Sequence, residues 1–169
     1  ETAHVNLCET FSNHDLDRRY NAIVWGQPTN IGIIEKPIGR SSFNRKKMAV
    51  SPRGKIAITK WNVLDVYAPL ASLIECKLET GKTHQIRVHL SDMGHSIIGD
   101  DLYGKSLSEN RYRNSSYKEK VLRMKSFNRQ ALHATKLSFN HPITKKYIEF
   151  ISPLPKDINQ LIEILKNKY

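Results

Sequence analysis

The tightest constraint on this chain is a change of period at E-T-G-K-T-H-Q-I-R-V-H-L, Glu79 to Leu90. Before it, Ala71 to Leu78 places Leu73, Cys76 and Leu78 in a loose alternation, the pattern of a half-buried strand. After it, Ile86, Leu90 and Met93 fall at i, i+4 and i+7, one face of a helix. Gly94 stands where a helix over Thr83–Met93 would end. A strand therefore passes directly into a helix through Gly81, Lys82 and Thr83.

The rest of the chain is mostly strand-like. Tyr20–Trp25 reads as a strand closed by Gly26-Gln-Pro28, and Ile31–Ile34 is a short apolar run. Lys36-Pro-Ile-Gly39 is turn-like. Lys55–Trp61 and Val63–Tyr67 alternate apolar and polar residues. Leu132–Phe139 and Tyr147–Ile151 suggest a hairpin. A second helix is expected over Asp157–Lys166, where Ile158, Leu161, Ile162 and Leu165 share a face behind Pro153 and Pro155. Many strands, few helices and no strict alternation predict an α+β fold with a mixed, largely antiparallel sheet and flanking helices. At 169 residues, one domain spanning 1–169 is expected.

Charge narrows the class of partner. Lys and Arg number 27 against 16 Asp and Glu, a net +11, and such a field attracts polyanions, nucleic acid first among them. The cations concentrate in two stretches. Lys36–Lys60 contains Lys36, Arg40, Arg45, Lys46, Lys47, Arg53, Lys55 and Lys60 and no acidic residue. Lys105–Lys125 contains seven cations and two glutamates. Both read as loops that grip phosphates, or as solvated charged loops. No run of eighteen apolar residues predicts a membrane helix. Cys8 and Cys76 are expected to be free thiols, which suits a cytoplasmic protein.

Gly81-Lys82-Thr83 imitates the end of a phosphate-binding loop, but that loop needs a glycine five positions earlier, where Cys76 stands. His84 and His89 are five apart and diverge on a helix, and no cysteine or carboxylate cluster completes a metal set. No nucleophile elbow is present. What remains is a helix start with Thr83, His84, Arg87 and Ser91 on a polar face. An arginine placed there holds a carboxylate or phosphate through its planar fork, or forms a structural salt bridge.

The stretch Leu78-Glu-Thr-Gly-Lys-Thr-His-Gln-Ile-Arg-Val-His-Leu90, followed by Gly94-His-Ser-Ile-Ile-Gly-Asp-Asp-Leu-Tyr-Gly104, resembles the signature of the RluA/RluC/RluD-type RNA pseudouridine synthases. That signature reads L-x-T-G-R-T-H-Q-I-R-V-H, then G-H-P-I-x-G-D-x-x-Y-G. Tyr20–Gly26 is similar to the family's K-x-Y-x-A-x-V-x-G strand, with Arg19 standing for its lysine. Gly54–Thr59 is similar to G-K-x-A-x-T, and Arg129–Pro142 to R-x-x-L-H-A-x-x-L-x-F-x-H-P. Lys82 replaces the usual arginine and Ser96 the usual proline. The family's catalytic H-R-L-D-x-x-T-S-G run has no counterpart: His14-Asp-Leu-Asp17 copies part of it, three residues before Tyr20. The chain, which begins at Glu1 rather than Met, is expected to be the C-terminal portion of the catalytic domain, and inactive alone.

The resemblance implies isomerisation of uridine to pseudouridine in RNA, most closely large-subunit ribosomal RNA, without cofactor or metal. A non-catalytic RNA-binding module of the same fold is the alternative. By motif, Arg87 would pair with the nucleophilic aspartate. Tyr20 would stack on the extruded base and take the C5 proton, and Leu132 would line the pocket. Lys82, His84 and Gln85 at the helix start, with Arg45, Lys46 and Lys47, would contact RNA. A monomer is expected.

Overall fold

The computed structural model describes residues 16–104 and 115–167. Cys8, His14, Lys105, Arg111 and Arg113 lie outside them. Eight strands and three helices follow in the order β1 (Leu16–Trp25), β2 (Ile31–Glu35), β3 (Ile38–Arg40), β4 (Met48–Val50), β5 (Ile58–Tyr67), β6 (Ala71–Leu78), α1 (Gln85–Asp92), α2 (Lys118–Lys125), β7 (Leu132–Asn140), β8 (Tyr147–Ile151) and α3 (Lys156–Lys166). Six strands form one sheet, ordered β2-β5-β6-β1-β7-β8, and β3 pairs with β4. Every one of these pairings is antiparallel. The α+β architecture with a largely antiparallel sheet matches expectation, and the described strands include no parallel pair.

Register sorts side chains onto two faces, because opposed residues in a ladder point the same way. Gly32, Trp61, Cys76, Tyr20 and Ala134 form one row across β2, β5, β6, β1 and β7. Val63, Ile74, Ala22 and Leu132 form the next row on the same face. Gly32 accommodates its neighbour: a Cβ there would fall 2.1 Å from the Trp61 indole. Helix α1 lies over this face, since Gln85 and His89 both hydrogen-bond the Thr59 side chain, two residues along β5 from Trp61. On the opposite face Ile23, Leu73 and Asp65 share a row. There α3 is tethered by Lys166 to Asp65, 3.8 Å apart, and α2 is tied to α3 by Lys120 Nζ donating to Leu165 O. Both layers contribute to one core, with Ile23, Ile74, Leu90, Ile98 and Met124 fully buried.

After α1 the chain returns to the sheet. Trp25 N–H donates to Ser96 O, Ile98 N–H to Ile23 O, and Ala131 N–H to Ile98 O, at 2.8–3.0 Å. Gly99 then turns with φ +73°, and a Cβ there would meet Arg129 O at 2.0 Å, so only glycine fits. This turn delivers Asp100 to the side of α1.

Several boundaries differ from expectation. Residues Leu16–Arg19 extend β1 ahead of the expected Tyr20–Trp25, because β7 pairs with them as far as Phe139 opposite Leu16. β5 runs unbroken through Asn62, its phase shift absorbed by a bulge between Val63 and Asp65. The turn-like Lys36–Gly39 includes the start of β3. Helix α2 lies inside a stretch read as loop: its charged surface residues hid Val121 and Met124, which are buried. Ile74→Ala should lower unfolding free energy by about 2–5 kcal/mol. Ile31→Ala, on the exposed edge of β2, should stay within about 0.5 kcal/mol. Urea denaturation of both variants checks the assignment of the core to the middle of the sheet.

Candidate active site

The turn between β6 and α1 is held by a closed set of buried hydrogen bonds. Gln85, 2% exposed, uses its whole amide: Nε2 donates to Ile58 O (2.9 Å) and Thr59 Oγ1 (3.0 Å). Its Oε1 accepts from Thr80 Oγ1 (2.8 Å) and from Lys82 N–H (2.9 Å). Thr80 Oγ1 in turn accepts from Ile58 N–H at 2.8 Å. His89, fully buried, is 3.0 Å from Lys36 O through Nε2 and 2.9 Å from Thr59 Oγ1 through Nδ1. A carbonyl only accepts, so Nε2 carries the proton and Nδ1 accepts from the threonine. Burial lowers the His89 pKa, which agrees with a neutral ring.

This lock sets the direction in which α1 leaves the sheet. His84 precedes the helix in the left-handed region, φ 56°, uncommon for a side chain of its size. It is steadied by Tyr103, whose hydroxyl lies 2.9 Å from His84 Nδ1 and accepts from Met48 N–H. Desolvation and the neighbouring Arg87 cation lower the His84 pKa.

Arg87 then projects from the first turn of α1 onto Asp100. Nε and Nη2 donate to Oδ2 and Oδ1 at 2.7 and 2.8 Å, a two-pronged pair. The carboxylate is 1% exposed and the guanidinium 14%, so water screens the pair weakly. Asp100 Oδ1 also accepts from the N–H groups of Leu102 and Tyr103. Burial pushes the Asp100 pKa up, but the Arg87 fork and those backbone donors outweigh it and hold it below the usual carboxylate range. The bond to Asp100 raises the Arg87 pKa. The Tyr103 ring lies 4.8 Å beneath the guanidinium, and Ser91 Oγ donates to Tyr103 O. Arg87 Nη1 makes no hydrogen bond among the described residues.

Tyr20 and Leu132 lie on neighbouring strands of the face covered by α1 and pack against the main core. Ile86 and Leu90, flanking Arg87 on α1, belong to that same core. Lys82 is half-buried in the turn, while Arg45 and Lys46 are exposed in the loop joining β3 to β4. Lys47 bends back, its Nζ donating to Leu102 O at 2.7 Å. Gln85 departs from the expectation of an exposed RNA contact: its side chain points inward and every polar atom is occupied. Asp17 bonds Arg19 and nears Lys136, and strand alternation turns it to the face opposite Tyr20. Among the described residues no group of three or more His, Cys, Asp or Glu is arranged to hold a metal. His84, His89 and His95 occupy separate environments, His95 Nδ1 meeting Trp25 O.

A strand-to-helix turn locked by glutamine, with a forked arginine two residues later, carries the T-H-Q-I-R-V-H signature. A model of the family described as RNA pseudouridylate synthase matches residues 1–92. The chain belongs to the RNA pseudouridylate synthase family. It is 44% identical over 169 residues to ribosomal large subunit pseudouridine synthase D of Zymomonas mobilis, covering 98% of this chain and 50% of that protein. It is 35% identical over 164 residues to the protein of the same name from Escherichia coli, covering 97% and 49%. The chain thus spans about half the length of the curated relatives it matches. Two solved structures share the fold: human RNA pseudouridylate synthase domain containing 1 (TM-score 0.68, 24% identity, 99% of this chain and 73% of that one) and domain containing 4 (0.72, 21%, 98% and 68%).

The family frame exposes a residue the sequence reading misplaced. The K-x-Y-x-A-x-V-x-G spacing puts the basic position two before Tyr20, at Arg18 rather than Arg19. Arg19 faces away, to Asp17 and Glu75. Arg18 shares the Tyr20 face, where its buried Nε and Nη2 reach no acceptor among the described residues. Its Nη1 lies over Gly81, at 2.6 Å from where a Cβ would stand. The glycine of Gly81-Lys82-Thr83 therefore makes room for an arginine rather than wrapping a phosphate.

Gln85→Ala should lower stability by about 1–3 kcal/mol, since it orphans buried partners of the amide, and chemical denaturation measures it. His89 adds a pH signature. Its folded pKa lies below the ordinary value near 6.5, so the unfolded chain binds the proton first. Stability should fall as pH drops below about 6.5 and level off below the folded pKa. His89→Gln should flatten part of that slope in melts recorded across the range.

Proposed function

We propose that this chain supplies the arginine, tyrosine and RNA-gripping parts of a uridine-to-pseudouridine isomerase acting on RNA, with large-subunit ribosomal RNA as substrate. The observation that carries the reading is the buried, two-pronged Arg87–Asp100 pair at the turn bearing the family signature. In this reading Asp100 aims the guanidinium and Arg87 Nη1 is offered to the carboxylate of the nucleophilic aspartate. That aspartate belongs to an H-R-L-D-x-x-T-S-G run, which the 169 residues do not contain. The names of the relatives, pseudouridine synthases of the large ribosomal subunit, support the substrate class.

Chemically, the aspartate attacks the nucleoside, uracil leaves its ribose, turns, and is rejoined through C5, after which the C5 proton must be removed. Tyr20 is placed in that role, its ring against the extruded base and its hydroxyl toward C5. Leu132, in the adjoining row, excludes water from the pocket. Arg18, with two guanidinium nitrogens lacking acceptors among the described residues, adds a cation to the Tyr20 face and supports an anionic substrate. Lys82, His84, Arg45 and Lys46 contact phosphate; Gln85 serves by holding the turn. A cytoplasmic monomer without cofactor completes the proposal, and no helix among the described residues is long and apolar enough to cross a membrane.

Tritium release from RNA labelled at uridine C5 tests this. The 169-residue chain alone should release none, whereas the chain joined to an H-R-L-D-bearing segment should. In that active form, Arg87→Lys keeps a charge beside Asp100 but loses the fork. It should slow turnover by about a hundredfold, the scale of one lost transition-state contact, with RNA affinity within about threefold. Equal losses of rate and affinity would remove Arg87 from the chemistry.

A further inference from the structure

The loop joining β3 to β4 holds one side chain that touches nothing: Phe43 is 100% exposed. Single apolar residues on a surface are ordinary, so exposure alone says little. Here the setting adds to it. Arg40, Arg45, Lys46 and Lys47 stand within four positions of Phe43, and no acidic residue occurs from Lys36 to Lys60. A ring among cations at a loop tip is the composition of a single-stranded nucleic-acid grip, in which bases stack and phosphates pair.

The loop is also built. Ser41 Oγ accepts from the N–H groups of Phe43 (3.3 Å) and Asn44 (3.2 Å), and Asn44 Oδ1 accepts from Lys46 N–H (3.0 Å). Asn44 O accepts from Lys47 N–H, Ser41 N–H donates to Lys47 O, and Arg40 Nη1 donates to Arg45 O at 3.1 Å. The base of the hairpin is fastened to the Arg87 assembly: Met48 N–H donates to the Tyr103 hydroxyl and Lys47 Nζ to Leu102 O. A group held by Phe43 is therefore held at a set offset from Arg87 and Asp100.

We propose that Phe43 is a base-stacking residue, its ring taking one nucleobase of single-stranded RNA while Arg45 and Lys46 hold the flanking phosphates. The proposal rests on the reading of the chain as an RNA-binding protein and names the contact that orders the strand entering the site. Every base has a π face, so the contact gives affinity and register rather than sequence choice.

Binding of the 169-residue chain to a fluorescently labelled single-stranded RNA of about a dozen nucleotides tests it. Phe43→Ala should weaken binding by about five- to a hundredfold, the span for one stacked base, with the salt dependence unchanged because no phosphate contact is lost. Phe43→Leu should be as weak as Phe43→Ala. Phe43→Trp should restore affinity, and its indole, distinct from the buried Trp25 and Trp61, should be quenched on adding RNA. All three should melt with the parent. The proposal is overturned if Phe43→Ala binds within about twofold of the parent while Arg45→Ala/Lys46→Ala loses affinity, leaving a phosphate grip alone. Full binding by Phe43→Leu would equally overturn stacking. Failure of the parent to bind RNA would sink the RNA-binding reading itself, and this inference with it.

Discussion

The geometry of this protein turns on the side-chain amide of Gln85. It joins Thr80, just beyond β6, to the start of β5 at Ile58 and Thr59 and to the turn at Lys82. Through Thr59 the network reaches His89, a turn further along α1, and through His89 the carbonyl of Lys36. Both amide donors and both lone pairs of the carbonyl are used, so the glutamine has one orientation that satisfies it. A helix whose first turn is clamped this way has little freedom to roll on the sheet. A half-satisfied version would cost more than an apolar one, which makes the turn all-or-none.

That rigidity matters because Arg87 lies two residues away, in the same turn. Its fork is aimed by Asp100, and Asp100 by the turn at Gly99 and by two backbone N–H groups. Tyr103 closes the assembly beneath the guanidinium, and its hydroxyl reaches His84 and the β3–β4 hairpin. Three segments distant in sequence thus share one charge. A buried ion pair is weak evidence for stability, since the desolvation of two ions offsets their attraction. Its value here is orientational. A lone arginine at a helix surface samples many rotamers, whereas this one presents a fixed edge.

The change of period at Glu79–Leu90 was readable because a strand and a helix impose different spacings, and the family signature was readable because its spacing runs nearly the length of the chain. The hairpin of β7 and β8 was legible as two strand-like runs either side of a turn, and the face of α3 followed from apolar periodicity. Asp100 as the partner of Arg87 was not readable: the two are thirteen residues apart, and only the return of the chain to β1 joins them. The inward turn of Gln85 was equally hidden. A polar residue at a helix start reads as exposed unless its buried partners are known, and those come from β5, 26 and 27 residues away. Arg18 was legible, since the K-x-Y spacing identifies it, whereas Arg19 is adjacent to Tyr20 in sequence but lies on the other face of the strand.

Affinity and placement are divided between different groups. The excess of cations draws a polyanion from any direction, and its strength falls with salt. In the proposed function it cannot say where along the strand the reacting nucleotide sits. Placement needs contacts that are short, directional and mechanically joined to the chemistry. The hairpin carrying Phe43, Arg45 and Lys46 meets that condition through Lys47 and Met48, which bond the segment holding Asp100 and Tyr103. Under the proposed function, a strand gripped there would be positioned in the frame of Arg87, and the energy of gripping would be available to hold one base out of its stack. Loosening the hairpin from Tyr103 would leave the charge untouched and, under that proposal, still misplace the strand.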